Sequence, residues 1–293
     1  MTARIIDGKA IAAKVRSEVA EGVAELTQRH GIVPGITVVI VGDDPASHVY
    51  VRSKERAAKE VGMNGAVLEL PADTTREELL RHVQRLNEDE SVHGILVQIP
   101  LPDHLDEDEI IHAIDPKKDV DGLHPENVGL LFSGHKRFAS ATPAGVQRML
   151  IEENVQVNGA KVVIVGRSNL VGKPLIGLLL ARGKGANATV TVCHTGTKDL
   201  AAETMQADIL ISATGIPGSI TGNMVKPGAV VIDVGTTRVR DASKKSGYRL
   251  AGDVVFEEAA DVASAITPVP GGVGPMTIAM LLTNVLASAK SRV

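Results

Sequence analysis

The stretch VVIVGRSNLVGKPL, residues 162–175, runs from a β-branched apolar segment through a glycine-containing turn into a helical pattern. Gly166, Ser168 and Gly172 give the turn the form G-x-S-x-x-x-G, in which serine replaces the middle glycine of the common dinucleotide-binding fingerprint. The first N–H groups of a helix lack partners within the helix, so such a turn can bind phosphate. The degenerate motif is weak alone, but its position between a predicted strand and a predicted helix favours a phosphate-binding βα turn.

Strand and helix patterns alternate along most of the remaining chain, which is typical of parallel βαβ units. The predicted strands are 36–41, 66–70, 94–99, 161–165, 188–193, 208–213 and 229–234. The predicted helices are 8–30, 45–61, 75–88, 106–114, 173–182 and 198–206. Several strands are apolar throughout, as expected for strands covered on both faces. The pattern predicts an α/β protein with two α/β domains, the second of them Rossmann-like.

The polar, glycine- and proline-containing segment 133–145 separates the two halves, so we place the domain crossing there. This gives one domain over 1–140 and a second over 141–267. A last helix, apolar nearly all round and therefore buried, is predicted to begin near Pro275. The charge-free stretch 262–289 contains prolines and glycines, which we expect to break it well short of a membrane-spanning helix.

The composition excludes several classes of protein. A net charge of −4, with three Phe, two Tyr and no Trp, argues against nucleic-acid binding. One cysteine excludes an internal disulfide framework, and the nine histidines lack metal-ligand spacing, so we predict no metal site. The N-terminus shows no secretory pattern, so we expect a cytoplasmic protein that is not associated with a membrane.

The residues after the strand ATVTVC indicate which dinucleotide binds. NAD-binding proteins usually carry an acid there to hold the ribose 2′-hydroxyl. Here His194 and Thr195 follow the strand, no carboxylate occurs before Asp199, and Arg167 is available from the first turn. Cations and donors without an acid favour a 2′-phosphate, and hence NADP. The alternative is that these residues are an ordinary solvated strand end. Two later turns of small residues, 212–218 and 233–239, have the size to line a nicotinamide pocket.

One lysine lies on the apolar face of the helix predicted over 45–61. At 100° per residue, Tyr50 and Lys54 fall inside the arc of Val51 and Ala58, and Lys54 is the only formal charge there. In one interpretation the Lys54 stem covers apolar surface while its head reaches water. In the other, Lys54 enters a cleft at the carboxyl edge of the sheet, where burial frees its amine for acid–base chemistry.

Three further features have two interpretations each. Gln98 interrupts an apolar strand near its end, and its amide either is satisfied by the backbone or faces a ligand. Asp121 either forms an Asp-Gly turn or binds paired N–H donors of a ligand. The loop TPVPGGVGPMT, residues 267–277, either connects domains or lets backbone approach a ligand closely. Cys193 is expected to be a small hydrophobe rather than a nucleophile.

These segments together resemble the bifunctional methylenetetrahydrofolate dehydrogenase/methenyltetrahydrofolate cyclohydrolase family. The matching segments follow the family's order and cover nearly the whole chain: VGDDPASHVYVRSKERAAKEVG, GILVQIPLP, DVDGLHPENVG, TPAG, GRSNLVGKP, ATVTVCHTGT, GDV and TPVPGGVGPMT. The segments GILVQIPLP and PGGVGPMT are especially specific.

The resemblance implies a catalytic folate-binding domain that residues 268–293 rejoin, an NADP-binding Rossmann-like domain, and a homodimer. It implies NADP-dependent oxidation of 5,10-methylenetetrahydrofolate to the 5,10-methenyl form, followed by hydrolysis to 10-formyltetrahydrofolate. The tetrahydrofolate derivative is expected between the two domains.

The resemblance also implies roles for single residues. The family's catalytic lysine falls on Lys54, and its neighbouring glutamine falls on Gln98. The tyrosine that stacks on the pterin falls on Tyr50, and the pterin-holding aspartate falls on Asp121. The family's folate loop matches Pro270, Gly271, Gly272 and Val273. Its cofactor-binding positions match Gly166, Arg167, Ser168, His194, Thr195 and Thr236.

The chain departs from the family's pattern at two places. Ser140 and Ala141 stand where Pro-Cys is frequent, and Thr236 stands where Ile or Val is common. Neither departure removes a proposed catalytic group. Two alternatives stay open: another two-domain NADP oxidoreductase resembling shikimate dehydrogenase, and a non-catalytic nucleotide sensor. The sensor gives no reason for a lysine on an apolar arc.

Overall fold

The computed structural model describes residues 3–244 and 247–293, apart from the side chain of Ala46. The strands are β1 (Arg4–Ile5), β2 (Gly35–Val41), β3 (Asn64–Leu70), β4 (Gly94–Val97), β5 (Lys161–Val165), β6 (Thr189–Cys193), β7 (Ile209–Ser212), β8 (Val230–Asp233), β9 (Thr237–Arg240), β10 (Tyr248–Ala251) and β11 (Ala265–Ile266). The helices are α1 (Gly8–His30), α2 (Pro45–Glu60), α3 (Arg76–Glu88), α4 (Glu107–Ala113), α5 (Pro125–Phe132), α6 (Ala141–Glu152), α7 (Gly172–Leu180), α8 (Leu200–Thr204), α9 (Phe256–Val262) and α10 (Val273–Lys290).

The chain folds as two compact units. The large-sheet unit comprises the described residues up to Ala12 together with Thr142–Thr277, and the small-sheet unit comprises Ala13–Ala141 and Ile278–Val293. Within the described residues, this division differs from the predicted boundaries for the segments 3–12 and 268–277 and for Ala141. The first belongs to the large-sheet unit because β1 pairs in parallel with β11.

The second segment is tied to the same unit by the start of α10. The hydroxyl groups of Thr142 and Thr277 lie 2.9 Å apart, and the backbone at Gly145 packs against the buried side chain of Met276. Local residue patterns in the sequence do not reveal these contacts, because the contacts join residues that are far apart in the chain.

The large-sheet unit is built on six parallel strands in the order β1-β11-β8-β7-β5-β6. The last residues of four strands lie in register: Val165 pairs with Cys193 and with Ser212, and Ser212 pairs with Asp233. The turns that follow these four strands therefore leave the sheet at one edge, where ligands of open α/β sheets bind. The α/β fold with a Rossmann-like half is confirmed.

Short elements of this unit escaped prediction from the sequence. β9 and β10 form a separate antiparallel ribbon, in which Thr237 pairs with Ala251. The ribbon mixes charged and apolar residues over only four positions per strand, which leaves too little alternation to recognise. The two-residue strands β1 and β11 are shorter still.

The small-sheet unit contains three parallel strands in the order β3-β2-β4. A single parallel bridge between Ile95 and Asp119 places the segment before Asp121 beside β4. Helix α2 follows β2 through a short turn, and Asp44 caps the helix by accepting a hydrogen bond from the Ser47 N–H at 2.8 Å. The carboxyl ends of β2 and β4, the start of α2 and the loop containing Asp121 therefore converge.

Helix α10 corrects one expectation. It runs for 18 residues with a mean hydropathy of 1.2, so it is long and apolar enough to cross a membrane, and 56% of it is buried inside the protein. The prolines and glycines do not shorten it, because Pro275 lies in the first turn, where its missing N–H is not needed. Farther along, Asn284 donates to the carbonyls of Val120 and Ala139, and Ser288 donates to that of His93. The expectation of a buried last helix is confirmed.

Candidate active site

A lysine–glutamine pair lies at the carboxyl edge of the small sheet. The Lys54 ammonium donates a hydrogen bond of 2.9 Å to Oε1 of Gln98. The Gln98 amide donates to the carbonyl of Ile99 at 2.6 Å, and its backbone N–H donates to Val39 on β2 at 2.8 Å. Gln98 thus follows β4, which ends at Val97, rather than lying within it as predicted. These bonds fix the orientation of the amide, so that its oxygen faces the lysine.

The third member of this cluster is Asp121, which is half-buried beyond the segment that borders β4. Burial lowers the pKa of the Lys54 amine, and the negative charge of Asp121 opposes that shift. Burial raises the pKa of the Asp121 carboxyl; Lys54 opposes this rise, and Asp119 adds to it. Each group therefore makes the charged form of the other less costly, and the lysine is brought closer to the pH range in which an amine exchanges protons.

The faces of α2 agree with the predicted arcs, apart from one side chain. Val51 and Ala58 are buried, Arg52 and Arg56 are exposed, and Lys54 is intermediate. Tyr50 is 51% exposed, although the helical wheel placed it on the core-facing arc. The tyrosine lies one turn before Lys54 on the same helix. Its ring is thus available to a ligand rather than committed to packing.

The turn after β5 has the shape that a dinucleotide phosphate requires. Gly166 has φ = +125°, and a Cβ at this position would overlap the carbonyl oxygen of Ala213. A Cβ at Gly172 would overlap the carbonyl oxygen of Gly166. Ser168 Oγ accepts the Val171 N–H at 3.1 Å and thereby holds the turn. Both positions therefore accept only glycine, and a helix begins at the second of them. This geometry fits a dinucleotide phosphate.

The other predicted cofactor residues follow the neighbouring strand ends. His194 comes directly after β6, and its Nδ1 accepts the Gly196 N–H at 3.0 Å, which leaves its Nε2 to carry a proton. Arg167, Thr195 and Thr236 are exposed. All of these residues belong to the large-sheet unit, whereas Lys54, Gln98, Asp121 and Tyr50 belong to the small-sheet unit.

The loop Pro270–Val273 belongs to the large-sheet unit and comes close to the start of α1. A Cβ on Gly8 would overlap the carbonyl oxygen of Gly272, and the Gly272 N–H donates to the Pro268 carbonyl at 2.8 Å. Gly271 has φ = +109° and lies against the side chain of Lys9. The loop is therefore tightly held backbone, as its glycines and prolines predicted.

Two buried carboxyl groups at the edge of the large sheet were not singled out from the sequence. Asp233 ends β8 and is 4% exposed, and Asp253, in the segment GDV before Val254, is 0% exposed. Asp233 is a polar residue in an otherwise hydrophobic strand sequence, as Gln98 is in its own segment. A search of the sequence for such polar residues therefore finds Asp233. Asp253 lies in a loop, where an aspartate carries no such signal.

Metal and thiol chemistry find no support in the part of the chain that the structure describes. Residues 3–244 and 247–293 contain no group of three or more His, Cys, Asp or Glu side chains arranged to hold a metal ion. Cys193 is buried at the end of β6, and burial raises the pKa of its thiol. The raised pKa disfavours the thiolate, so this cysteine is a packing residue.

Fold and site together define an α/β enzyme of the nicotinamide-dinucleotide class, with a separate cluster formed by Lys54, Gln98 and Asp121. The chain belongs to the tetrahydrofolate dehydrogenase/cyclohydrolase family. Residues 6–121 match the catalytic domain of that family, and residues 140–293 match its NAD(P)-binding domain. The protein is a bifunctional enzyme with the dehydrogenase and cyclohydrolase activities of the family.

Individual relatives support the same assignment. The bifunctional protein FolD of Prosthecochloris aestuarii is 56% identical over 286 residues, covering 97% of each chain. The crystal structure of the bifunctional enzyme FolD from Campylobacter jejuni matches with a TM-score of 0.92 and 47% identity over 99% of each chain. The Trypanosoma brucei enzyme, crystallised with NADP and an inhibitor, matches with a TM-score of 0.94 and 44% identity, over 100% of this chain and 99% of that one.

Proposed function

We propose that this chain oxidises 5,10-methylenetetrahydrofolate with NADP⁺ and then hydrolyses the 5,10-methenyl product to 10-formyltetrahydrofolate, with Lys54 as the proton-transfer group. The observation that carries the proposal is the hydrogen bond of 2.9 Å from the Lys54 amine to Gln98, with Asp121 acting electrostatically on the same amine. A purely structural lysine has no need of a half-buried amide acceptor and of a carboxyl group with a raised pKa beside it.

In the oxidation, the role of the chain is to hold the substrate. NADP⁺, when bound, supplies the acceptor for the hydride that leaves the methylene carbon. The exposed ring of Tyr50 offers a stacking surface for the pterin, and Asp121 offers two acceptor oxygens to its amino and ring N–H groups. The family resemblance implies that the loop Pro270–Val273 also binds the folate. Such positioning contributes up to about 7–11 kcal/mol to lowering a barrier.

In the hydrolysis, Lys54 moves the protons. A water molecule attacks the cationic methenyl carbon, and the neutral Lys54 amine accepts the proton that the water loses. The bond between this carbon and N5 then breaks as the lysine returns its proton to N5, and the hydroxyl group on the carbon loses its proton to solvent to become the carbonyl of the 10-formyl product. Gln98 holds the amine through its oxygen, which cannot ionise, so the lysine exchanges protons without a fixed carboxylate bonded to it.

We infer NADP rather than NAD from the residues beyond β5 and β6. Arg167 and Ser168 follow the first strand, and the Nε2 of His194 and the hydroxyl of Thr195 follow the second. These are cations and hydrogen-bond donors, which suit a 2′-phosphate, and no carboxylate occupies the position that accepts a ribose 2′-hydroxyl. Thr236 follows β8, and from the family resemblance we infer that the nicotinamide binds near it.

We also propose a role for each of the two units and a cellular setting for the enzyme. We infer that the small-sheet unit carries proton transfer and the folate-binding residues Tyr50 and Asp121, and that the large-sheet unit binds the cofactor and carries the loop Pro270–Val273. The enzyme is expected to act in the cytoplasm as a homodimer, without a nucleic-acid or membrane partner. Analytical ultracentrifugation of the purified protein tests the dimer.

The activity is tested by mixing purified protein with 5,10-methylenetetrahydrofolate and NADP⁺ and following NADPH, methenyl and 10-formyl products together. We expect NADPH and 10-formyl product with little methenyl accumulation. NADPH with methenyl loss only at the spontaneous rate would overturn the role of Lys54. Binding of NADP⁺ without turnover would support the nucleotide sensor, and turnover of shikimate in place of the folate would support the other oxidoreductase.

A further inference from the structure

Asp253 is the one buried side chain, within the described residues 3–244 and 247–293, that has an oxygen without a hydrogen-bond partner. Its Oδ2 accepts the Thr214 N–H at 2.6 Å, the Gly215 N–H at 3.3 Å and the Ser212 hydroxyl at 3.1 Å, whereas its Oδ1 accepts nothing. A fully buried carboxylate is costly, and a buried polar atom left unpaired adds to that cost, so a reason for keeping it is required.

The three bonds fix the turn that follows β7. Because the Thr214 N–H points inward to Asp253, the carbonyl at the other end of the same peptide unit points away, and the oxygen of Ala213 lies against Gly166. The carbonyl of Gly215 accepts the Thr237 hydroxyl at 3.2 Å, beside Thr236. Asp253 therefore sets the position of a turn that borders both the phosphate-binding turn and the segment around Thr236.

A second buried carboxyl adjoins the first. Asp233 accepts the N–H groups of Gly235 at 2.9 Å, Asp253 at 3.0 Å and Val254 at 2.9 Å. Burial raises the pKa of Asp233 to about 6, and the charge of Asp253 contributes to the rise. Arg240 and Arg249 line the same cavity as Asp233, but the hydrogen bonds that Asp233 accepts come from backbone N–H groups. The edge of the sheet thus holds two buried carboxyl groups that accept hydrogen bonds from backbone N–H groups and one hydroxyl group.

We propose that Asp253 is a positioning residue for the cofactor, and that Asp253 and Asp233 together favour the oxidised, positively charged form of NADP over the reduced form. This inference rests on the proposed function, since it takes the nicotinamide to lie near Thr236. The nicotinamide ring carries a positive charge only in NADP⁺, so buried negative charge behind its binding turn attracts that form selectively.

The test measures the dissociation constants of both cofactor forms without catalysis, by calorimetry for NADP⁺ and by cofactor fluorescence for NADPH. In Asp253→Asn, NADP⁺ binding is expected to weaken about tenfold or more, as for loss of a charged hydrogen-bond acceptor. NADPH binding should weaken less, so the preference for NADP⁺ over NADPH should fall by about fivefold. Cofactor-free hydrolysis of 5,10-methenyltetrahydrofolate should stay within about twofold, because Lys54 and Gln98, the groups proposed to transfer its protons, lie in the other unit.

Two further variants separate charge from packing. Ser212→Ala removes one bond to Asp253 but keeps the charge, so the ratio of the two dissociation constants should not change. Asp233→Asn removes one charge but keeps the hydrogen bonds that Asp253 accepts from Thr214 and Gly215, so the ratio of the dissociation constants should fall. If Asp253→Asn does not fold, Asp233→Asn provides the test of the charge effect. An unchanged ratio in the folded aspartate variants would overturn the proposal, as would the same loss in Ser212→Ala. Failure of the unmodified enzyme to bind NADP⁺ would instead overturn the proposed function.

Discussion

The amine of Lys54 and the side-chain oxygen of Gln98 lie 2.9 Å apart, although the two residues are separated by 44 positions in the chain. The lysine is carried by α2 after β2, and the glutamine comes just after β4, the neighbour of β2 in the sheet. Strands that pair in parallel bring their following segments to the same edge. The pair is therefore a direct product of the sheet order.

Replacing the lysine tests its role in proton transfer. Lys54→Met keeps the length of the side chain but removes its amine, so the hydrolysis of 5,10-methenyltetrahydrofolate should fall by about 10²–10⁴-fold. NADP⁺ binding, measured by calorimetry, should be retained, because the cofactor-binding residues lie in the large-sheet unit. Lys59→Met on the exposed face of the same helix is the matched control and should leave both unchanged. Hydrolysis at the unmodified rate in Lys54→Met would contradict the assignment.

Replacing the glutamine with glutamate should shift the pH dependence of the hydrolysis. Burial lowers the pKa of Lys54, and the neutral amine is the form that accepts a proton from water. A carboxylate at position 98 stabilises the ammonium form, which raises the pKa of Lys54. The alkaline rise of the rate in Gln98→Glu should therefore begin at higher pH than in the unmodified enzyme. Gln84→Glu, on an exposed helix face, should not move the profile; a shift in both variants would point to a general charge effect.

Asp121 should matter to the folate and not to the cofactor. Asp121→Ala removes both acceptor oxygens, so binding of a tetrahydrofolate derivative should weaken about tenfold or more, while NADP⁺ binding changes little. Asp121→Asn retains one acceptor and should lose less affinity. Calorimetric titration with each ligand separates these effects, and equal losses for folate and cofactor would indicate misfolding instead.

The turn at Gly166 should tolerate no side chain. In Gly166→Ala, the added methyl group overlaps the Ala213 carbonyl at a residue with φ = +125°. We expect loss of NADP⁺ binding and a fall in thermal stability. Gly228→Ala is the matched control, because Gly228 also has a positive φ (+83°) but no atom within 4 Å of the added group. Its destabilisation, about 1 kcal/mol from backbone strain alone, should leave cofactor binding intact.

The buried carboxyl of Asp233 should make stability depend on pH in a defined direction. Its pKa is raised from 3.8 to about 6 in the folded state. Between these two pKa values the folded state holds the proton more tightly than the unfolded state, so the free energy of unfolding falls as pH rises. The total loss for this group is about 3 kcal/mol, and it is constant above pH 6. The stability of the unmodified protein relative to Asp233→Asn, from urea unfolding, should thus decline from pH 4 to pH 6.

A matched control for this pH effect lies in an exposed turn. Hydrogen bonds from Ser243 lower the pKa of Asp241, so its contribution has the opposite sign and is lost as pH falls. The stability relative to Asp241→Asn should therefore not decline between pH 4 and pH 6. A flat comparison for Asp233→Asn as well would mean that its pKa is not raised.

The prediction from sequence was most successful where local chemistry determines structure. Asp44 and Pro45 specify the start of α2, and the glycines of the turn after β5 specify its backbone, because capping and a positive φ depend on a few adjacent residues. The polar intruders Lys54 and Gln98 were visible against apolar surroundings. Tyr50 lay on the predicted core arc, but is 51% exposed, although Ser47 and Val51 of the same helix are buried.

By itself, the sequence determined the α/β class, the glycine turn after β5, the family resemblance and the identity of the polar groups, since periodicity and short motifs are properties of neighbouring residues. The tertiary structure alone decided that β1 joins β11, that Asp121 acts on Lys54, and that Asp253 anchors the turn after β7. These relationships depend on strand order and on contacts between distant residues. Local pattern carries no information about such contacts, because the free energy that selects them comes from packing the whole unit.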